Sequence, residues 1–263
     1  MATAPVITFL SDLGNKHIAT GSAKARLWAR FPEAGVVDIT HGAERYNIQR
    51  AAYVCRSAYQ HFPAGGFHLL LVDISLGERH RMLLAHVGGH YFIAPDNGIL
   101  SLAFGDELKD VWFCREFSNA VGVLQWVDAA ADVIATIGPE AVPDEHFTRF
   151  MTKKIAFPSV QRPAGARRDC AILYADRYGN VVLDLGREEF EDLASDGPFE
   201  IKFPAGKSIT RLSTTYNDVA EGELLCRFNS VGLMEIAMNR QSLFATYEFA
   251  ATYNAFPTIS VYF

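Results

Sequence analysis

Residues 6–14 read VITFLSDLG: a short apolar run, Val6–Leu10, broken at Ser11-Asp12-Leu13-Gly14. A buried strand ending in a loop has this form. Outward from it the same grammar repeats. Ser22–Phe31 reads as a helix stopped by Pro32, and Val36–Thr40 (VVDIT) as a short, buried, β-branched strand. From Ile48 the apolar positions Ala51, Ala52, Cys55, Ala58, Tyr59 and Phe62 recur at helical spacing until Pro63-Ala64-Gly65-Gly66. Phe67–Val72 (FHLLLV) is a continuous apolar run suited to a sheet covered on both faces. Met82–Val87 and His90–Ala94, separated by Gly88-Gly89, predict a hairpin. Strand, helix, strand, helix, strand implies right-handed crossovers and an α/β layer architecture with a central, largely parallel sheet.

The grammar changes after Met151. Lys153–Arg168 holds two prolines, one glycine and five basic residues without periodicity, which suits an exposed linker. Beyond it, Ala171–Ala175, Val181–Leu185, Phe199–Phe203, Leu224–Phe228, Met234–Met238 and Ile259–Phe263 are short apolar runs, mostly bounded by Gly, Asp, Asn or Pro. That is the pattern of a smaller all-β domain. The expected organisation is an α/β domain over 1–151, a linker over 152–168 and a β domain over 169–263.

Composition narrows the function. The 263 residues are 49% hydrophobic and 21% charged, the balance of a globular chain with a substantial core. A net charge of −6 argues against nucleic acid as the main partner. No apolar run approaches the roughly 20 residues that span a bilayer, and the N-terminus lacks the basic n-region of a signal peptide, so the expected location is the cytoplasm, away from membranes. Cys55, Cys114, Cys170 and Cys226 are far apart and form no CxxC pair, which argues against a zinc site or a disulfide framework. HExxH, Walker, GxGxxG and GxSxG motifs are absent.

Four islands carry polar groups where a sheet would end. Asp12 follows the first strand, where α/β sheets meet their ligands; its carboxylate suits the paired hydroxyls of a ribose, although on this island alone a cap on the next loop is the favoured reading. His41 closes Val36–Thr40 and reads as a histidine satisfied by backbone groups. Asp73 ends a wholly apolar strand, where a charge needs partners or a task, and Arg79, His80 and Arg81 follow within one loop. Ala94-Pro95-Asp96-Asn97-Gly98 is a turn on a strand end in which Asn97 could read an amide or a carboxylate. The last island comprises Asp176-Arg177-Tyr178-Gly179-Asn180, Tyr216-Asn217-Asp218, and the stretch from Asn229-Ser230 to Asn239.

In this order and spacing the islands resemble the S-adenosylmethionine hydroxide adenosyltransferase family, from about Val6 to Asn239. The family pattern runs from a Thr/Ser-Asp-Phe/Leu-Gly strand end through VDITH, VDPGVG, PDNG and DxFGN to NSxGxLEIAxN. This chain has SDLG, VDITH, VDISLG, APDNG, DRYGN and NSVGLMEIAMN. The resemblance implies an α/β and a β domain, a homotrimer whose active site is shared between neighbouring subunits, and S-adenosylmethionine as a substrate cleaved without cofactor or metal. Matched residue by residue, it places Asp12 on the ribose hydroxyls and Tyr46 against the sugar. Tyr216 would stack on adenine with Asn229 and Ser230 beside it, and Asn180 would hold the methionine end. Asp73 matches the carboxylate that activates water in the hydrolases, where halogenating relatives have an uncharged residue; a carboxylate there repels halide.

The departures fall in the water-activating and methionine-binding parts. Ile74-Ser75 stand for the family's Pro-Gly, and the family's arginine falls on His80, between Arg79 and Arg81. The segment expected to carry the family's histidine, Leu124–Gly138, holds Asp128 and Asp132 but no histidine, and the acidic residue after SDLG falls on His17. The expected function is therefore hydrolysis of S-adenosylmethionine by Asp73 with His80 and Arg81. The alternatives are a catalytically impaired S-adenosylmethionine- or adenosine-binding protein and, more distantly, a halogenase.

Overall fold

The computed structural model describes residues 5–74, 80–117, 122–138, 143–152, 155, 167–195, 197–249 and 258–263. Its contacts divide the chain into two compact units, Met1–Phe157 and Pro158–Phe263. Most of the stretch read as a linker lies outside the described residues, as does Arg79.

The first unit runs β1 (Val6–Ser11), α1 (Ile18–Arg30), β2 (Gly35–Thr40), α2 (Ile48–Ala58), β3 (Phe67–Leu71), β4 (His80–Val87), β5 (His90–Pro95), α3 (Ile99–Phe104), β6 (Asp110–Phe117), α4 (Val123–Ile137) and β7 (Thr148–Arg149). The seven strands form one sheet in the order β2-β1-β3-β5-β4-β6-β7. The pairings β2–β1, β1–β3 and β3–β5 are parallel, and β5–β4, β4–β6 and β6–β7 are antiparallel. The sheet is thus mixed rather than largely parallel. The reason is local: β4 and β5 are joined only by Gly88 (φ 58) and Gly89 (φ 80), and a two-residue turn with two positive φ values returns the chain antiparallel.

Both faces of the sheet are covered. Along β3, Phe67, Leu69 and Leu71 pack with Ala23 and Leu27 of α1 and Trp126, Ala130 and Ile134 of α4. The alternate residues Leu70 and Val72 pack with Ala51, Ala52 and Cys55 of α2 and Ile99 of α3. This two-sided burial is why β3 reads as an uninterrupted apolar run; each fully buried Leu contributes roughly 1.5–3 kcal/mol. β2, by contrast, is an edge strand and largely exposed, not the buried strand its β-branched residues suggest. α1 starts at Ile18 rather than Ser22 because His17 Nδ1 accepts from Ala19 N at 3.2 Å, an N-cap outside the usual Ser, Thr, Asp and Asn set.

The chain leaves β1 through α1 to β2 on one side and returns through α2 to β3 on the other. The carboxyl ends of β1 and β3 therefore flank the point where strand order reverses, the crevice in which such sheets bind ligands.

The second unit holds β8 (Arg167–Ala175), β9 (Val181–Gly186), α5 (Arg187–Ala194), β10 (Glu200–Lys202), β11 (Ser208–Ile209), β12 (Leu224–Phe228), β13 (Leu233–Met238), α6 (Leu243–Thr246) and β14 (Thr258–Tyr262). Its sheet runs β11-β10-β14-β8-β9-β13-β12 with every pairing antiparallel. Leu212, just past β11, bridges to Cys226 of β12, so the two edges approach each other. The unit also contains a helix that its apolar runs did not announce. In α5, Glu188 and Glu189 sit in the first turn, where negative charge suits the helix dipole, and Phe190 is the single buried anchor. No described helix is long and apolar enough to cross a membrane.

Candidate active site

Asp12 follows the last residue of β1 and organises the carboxyl edge of the first sheet. Its Oδ2 accepts the backbone amide of Tyr46 at 3.0 Å and that of Asp73 at 3.2 Å. Both amides belong to non-glycine residues in left-handed backbone, Tyr46 at φ 61 and Asp73 at φ 54. Each such conformation costs an L-residue on the order of 1–3 kcal/mol, and charge-assisted bonds to one carboxylate offset that cost. Asp12 Oδ1 takes neither amide. One oxygen of Asp12 therefore caps both loops, the structural use its residue type allows. The Tyr46 ring beside it is 59% exposed.

Asp73 is fixed from its other side through Asn97. Asn97 Nδ2 donates to the Val72 carbonyl at 3.0 Å, and its Oδ1 accepts from Ile99 N at 3.1 Å, starting α3. Both ends of the Asn97 amide thus serve the turn that holds the ends of β3 and β5 together. Gly98 next to it has φ 97, and a Cβ there would collide with Ile155.

His80 and Arg81 open β4, which runs antiparallel to β5, so they lie on this same edge. With Asp96 and Glu116 they line a cavity of about 350 Å³. Arg81 lies 4.0 Å from Asp96 and 3.9 Å from Glu116, with its guanidinium 5.6 Å from the centre of the Phe150 ring. Among the described residues His80 Nε2 is buried with no hydrogen-bond partner, a state that costs roughly 1–3 kcal/mol unless a ligand or water occupies it.

The residues that depart from the family pattern have other duties. Asp128 and Asp132 on α4 pair with Arg26 and Arg30 on α1, and His17 caps α1. His41 Nδ1 lies 2.8 Å from Ser11 Oγ and its Nε2 3.0 Å from Asp38 Oδ1, off the line of a good hydrogen bond. Side chains, rather than the expected backbone groups, therefore surround it. Among the described residues no cluster of His, Cys, Asp and Glu is arranged for a metal ion.

The second unit has its own cavity, of about 610 Å³, with Asp176, Asn180, Tyr216, Asn217, Asn239 and Arg240 in its wall, a size ordinary for small-molecule sites. Asp176 shapes one side: Oδ1 accepts Tyr178 N at 2.8 Å and Asn180 N at 2.9 Å, and Oδ2 accepts Asn180 Nδ2 at 2.9 Å. Tyr216 forms another, and its Oη donates to Glu235 Oε1 at 2.6 Å. Burial, then the Glu235 acceptor, pushes the Tyr216 hydroxyl up to about 12, so it remains a donor at neutral pH.

Of the residues expected in this unit, Asn180 and Tyr216 line the cavity together, but Asn229 and Ser230 do not. Those two sit on the β12–β13 turn, where Asn229 Oδ1 accepts the amides of Val231 and Leu233, both at 3.1 Å, and Ser230 is exposed. Asp176, Asn239 and Arg240 went unread as wall residues. Asp176 and Asn239 stand inside the DRYGN and IAMN stretches without having been given a role, and Arg240 directly follows the second.

Residues 7–138 match the SAM hydroxide adenosyltransferase N-terminal domain and residues 170–255 the corresponding C-terminal domain. An (R)-S-adenosyl-L-methionine hydrolase of Thermus thermophilus is 28% identical over 257 residues, covering 90% of this chain and 92% of its own. One from Methanocaldococcus jannaschii is 30% identical over 241 residues, covering 88% of each chain. An uncharacterized conserved protein from Thermotoga maritima has the same fold, with a TM-score of 0.79 at 22% identity over 98% of this chain and 100% of that one.

Proposed function

The chain belongs to the SAM hydroxide adenosyltransferase family, and on that premise we propose that it hydrolyses S-adenosylmethionine to adenosine and methionine. Water oxygen bonds to C5′ as the C5′–S bond breaks. The electron pair goes to sulfur, which leaves as a neutral thioether, and the water proton passes to a base. The sulfonium is a good leaving group, so the protein mainly aligns water, C5′ and sulfur and accepts the proton. No step calls for a cofactor.

The observation that carries this reading is the shared anchor at Asp12. One carboxylate oxygen fixes the backbone of Asp73, the proposed base, while the other is left for the ribose diol. A nucleoside held by Asp12 is thereby set beside the residue that activates water. Tyr46 packs on the sugar, and His80 and Arg81 supply polar groups on the same edge. Tyr216 stacks on adenine, Asn180 meets the methionine end, and Asn229 and Ser230 act near the base from their turn. The family resemblance implies a homotrimer, and a cytoplasmic location fits an intracellular substrate of this kind.

The test is adenosine release from S-adenosylmethionine, followed by chromatography with and without chloride. Because the curated relatives are named for the (R) form, both sulfonium epimers are assayed, and the (R) epimer is expected to be cleaved faster. Release no faster than the spontaneous background for either epimer overturns the enzyme reading in favour of a binding protein. Formation of 5′-chloro-5′-deoxyadenosine overturns the exclusion of halide by Asp73.

A further inference from the structure

Glu235 and Arg227 are cross-strand partners in the β12–β13 ladder. Opposite charges so placed ordinarily pair with each other. Here both turn to a third residue. Glu235, 9% exposed, accepts the Tyr216 hydroxyl at 2.6 Å, and the Arg227 guanidinium carbon lies 5.1 Å from the centre of the Tyr216 ring. Among the described residues Arg227 Nε is buried without a hydrogen-bond partner, which leaves the ring as the visible reason for the guanidinium's placement.

The other end of the tyrosine is fixed as well. Asp218 Oδ2 accepts the amides of Thr214 at 2.7 Å and Thr215 at 3.0 Å, and its Oδ1 accepts Thr215 Oγ at 2.7 Å. The two residues that lead into Tyr216 are therefore held by Asp218, and the tip of its ring by Glu235. It forms a wall of the 610 Å³ cavity, which neither Glu235 nor Arg227 touches. A stacking surface immobilised before the ligand arrives loses less entropy on binding than a free one.

We propose that Glu235 and Arg227 are positioning residues that lock the Tyr216 ring as a preformed stacking platform for the nucleobase. This rests on the reading that adenine stacks on Tyr216. Glu235 holds the tip, Arg227 occupies one ring face, and the remaining face is presented to a planar ligand.

The test uses the full chain, with adenosine affinity measured by calorimetry and kcat and KM measured for S-adenosylmethionine. Tyr216→Phe and Glu235→Leu are each expected to raise the adenosine Kd and the KM about tenfold with kcat little changed. Their combination should be no worse than either alone, because both delete the same bond. Glu235→Gln, whose amide oxygen still accepts the phenol, should recover most of the loss, and Arg227→Met should weaken binding by about threefold. Tyr216→Phe removes only a hydroxyl, so it remains informative if Glu235→Leu folds poorly.

If Tyr216→Ala weakens adenosine while Tyr216→Phe and Glu235→Leu leave its Kd unchanged, the platform stands and the positioning proposal is overturned. Fully additive losses in the double variant overturn it too. If Tyr216→Ala itself has no effect on adenosine, the stacking reading has failed and the proposal goes with it.

Discussion

Asp12 Oδ2 lies 3.2 Å from the backbone nitrogen of Asp73, so one hydrogen bond ties the end of β1 to the end of β3 across the point where strand order reverses. The same oxygen holds Tyr46. On the proposed function, ribose recognition and placement of the water-activating residue share one side chain, so variants of Asp12 should disturb both. Asp12→Ala is expected to weaken adenosine by roughly 1.5–3 kcal/mol, on the order of 10–100-fold, and to weaken 2′,3′-dideoxyadenosine far less. It should also lower kcat, because Asp73 loses its anchor. Equal losses for the two nucleosides, measured by calorimetry, would remove the ribose from the account.

Asp73→Asn keeps the shape and removes the proposed base. Turnover should fall about 10²–10⁴-fold while adenosine affinity stays nearly unchanged. An adenosine Kd that rises in step with the loss of kcat would mean that Asp73 binds rather than activates. Chloride should yield no halogenated product with the wild type.

Gly98→Ala tests the support beneath Asp73. The position needs φ 97 and has no room for a Cβ against Ile155. The substitution should cost roughly 1–3 kcal/mol in chemical denaturation and reduce kcat by displacing Asn97, which holds the Val72 carbonyl. Unchanged stability would show that Ile155 yields freely.

The sequence made legible what is local or repetitive. β1 and β3 were readable because strands buried on both faces carry continuous apolar runs, and the β4–β5 hairpin because Gly88-Gly89 has one natural use. α1 lost its first turn in the reading because a histidine caps it. α5 was missed because eight residues with one buried anchor give little periodicity. Asp12, Asp73, Asn180 and Tyr216 stood at turns and strand ends, where polar residues attract notice. Arg227 did not, since it reads as an ordinary polar position in a strand; Glu235 stands in the NSVGLMEIAMN stretch but carried no role there, because the contact that gives it meaning joins it to a tyrosine 19 positions earlier. The loop-capping use of Asp12 and its proposed use toward a ribose were both legible from its residue type, and the structure shows the first, through Oδ2.

The last expectation concerns pH and lies away from the site. Thr8 Oγ is 2.7 Å from His68 Nδ1, and His68 Nε2 is 3.0 Å from His90 Nδ1, all three residues being buried. Around this chain pack the rings of Tyr59, Phe62 and Phe92, with His86 as the further titratable neighbour. Burial, with His90 adding to it, lowers His68 to about 3, and burial with His86 lowers His90 as well. The folded chain therefore keeps His68 neutral where the unfolded chain, with an ordinary imidazole near ~6.5, takes up a proton. The unfolded state binds more protons below that pH, so stability is full above about 6.5 and declines as pH falls from there towards 3. The slope approaches about 1.4 kcal/mol per pH unit for one fully neutral buried histidine. Melting measured from pH 7.5 to pH 5 should show the wild type losing stability. His68→Gln, which can still accept from Thr8 and donate to His90, should give a flatter profile over that range, even if its midpoint at pH 7.5 is lower. Parallel profiles for the two proteins would place the acid sensitivity in other groups.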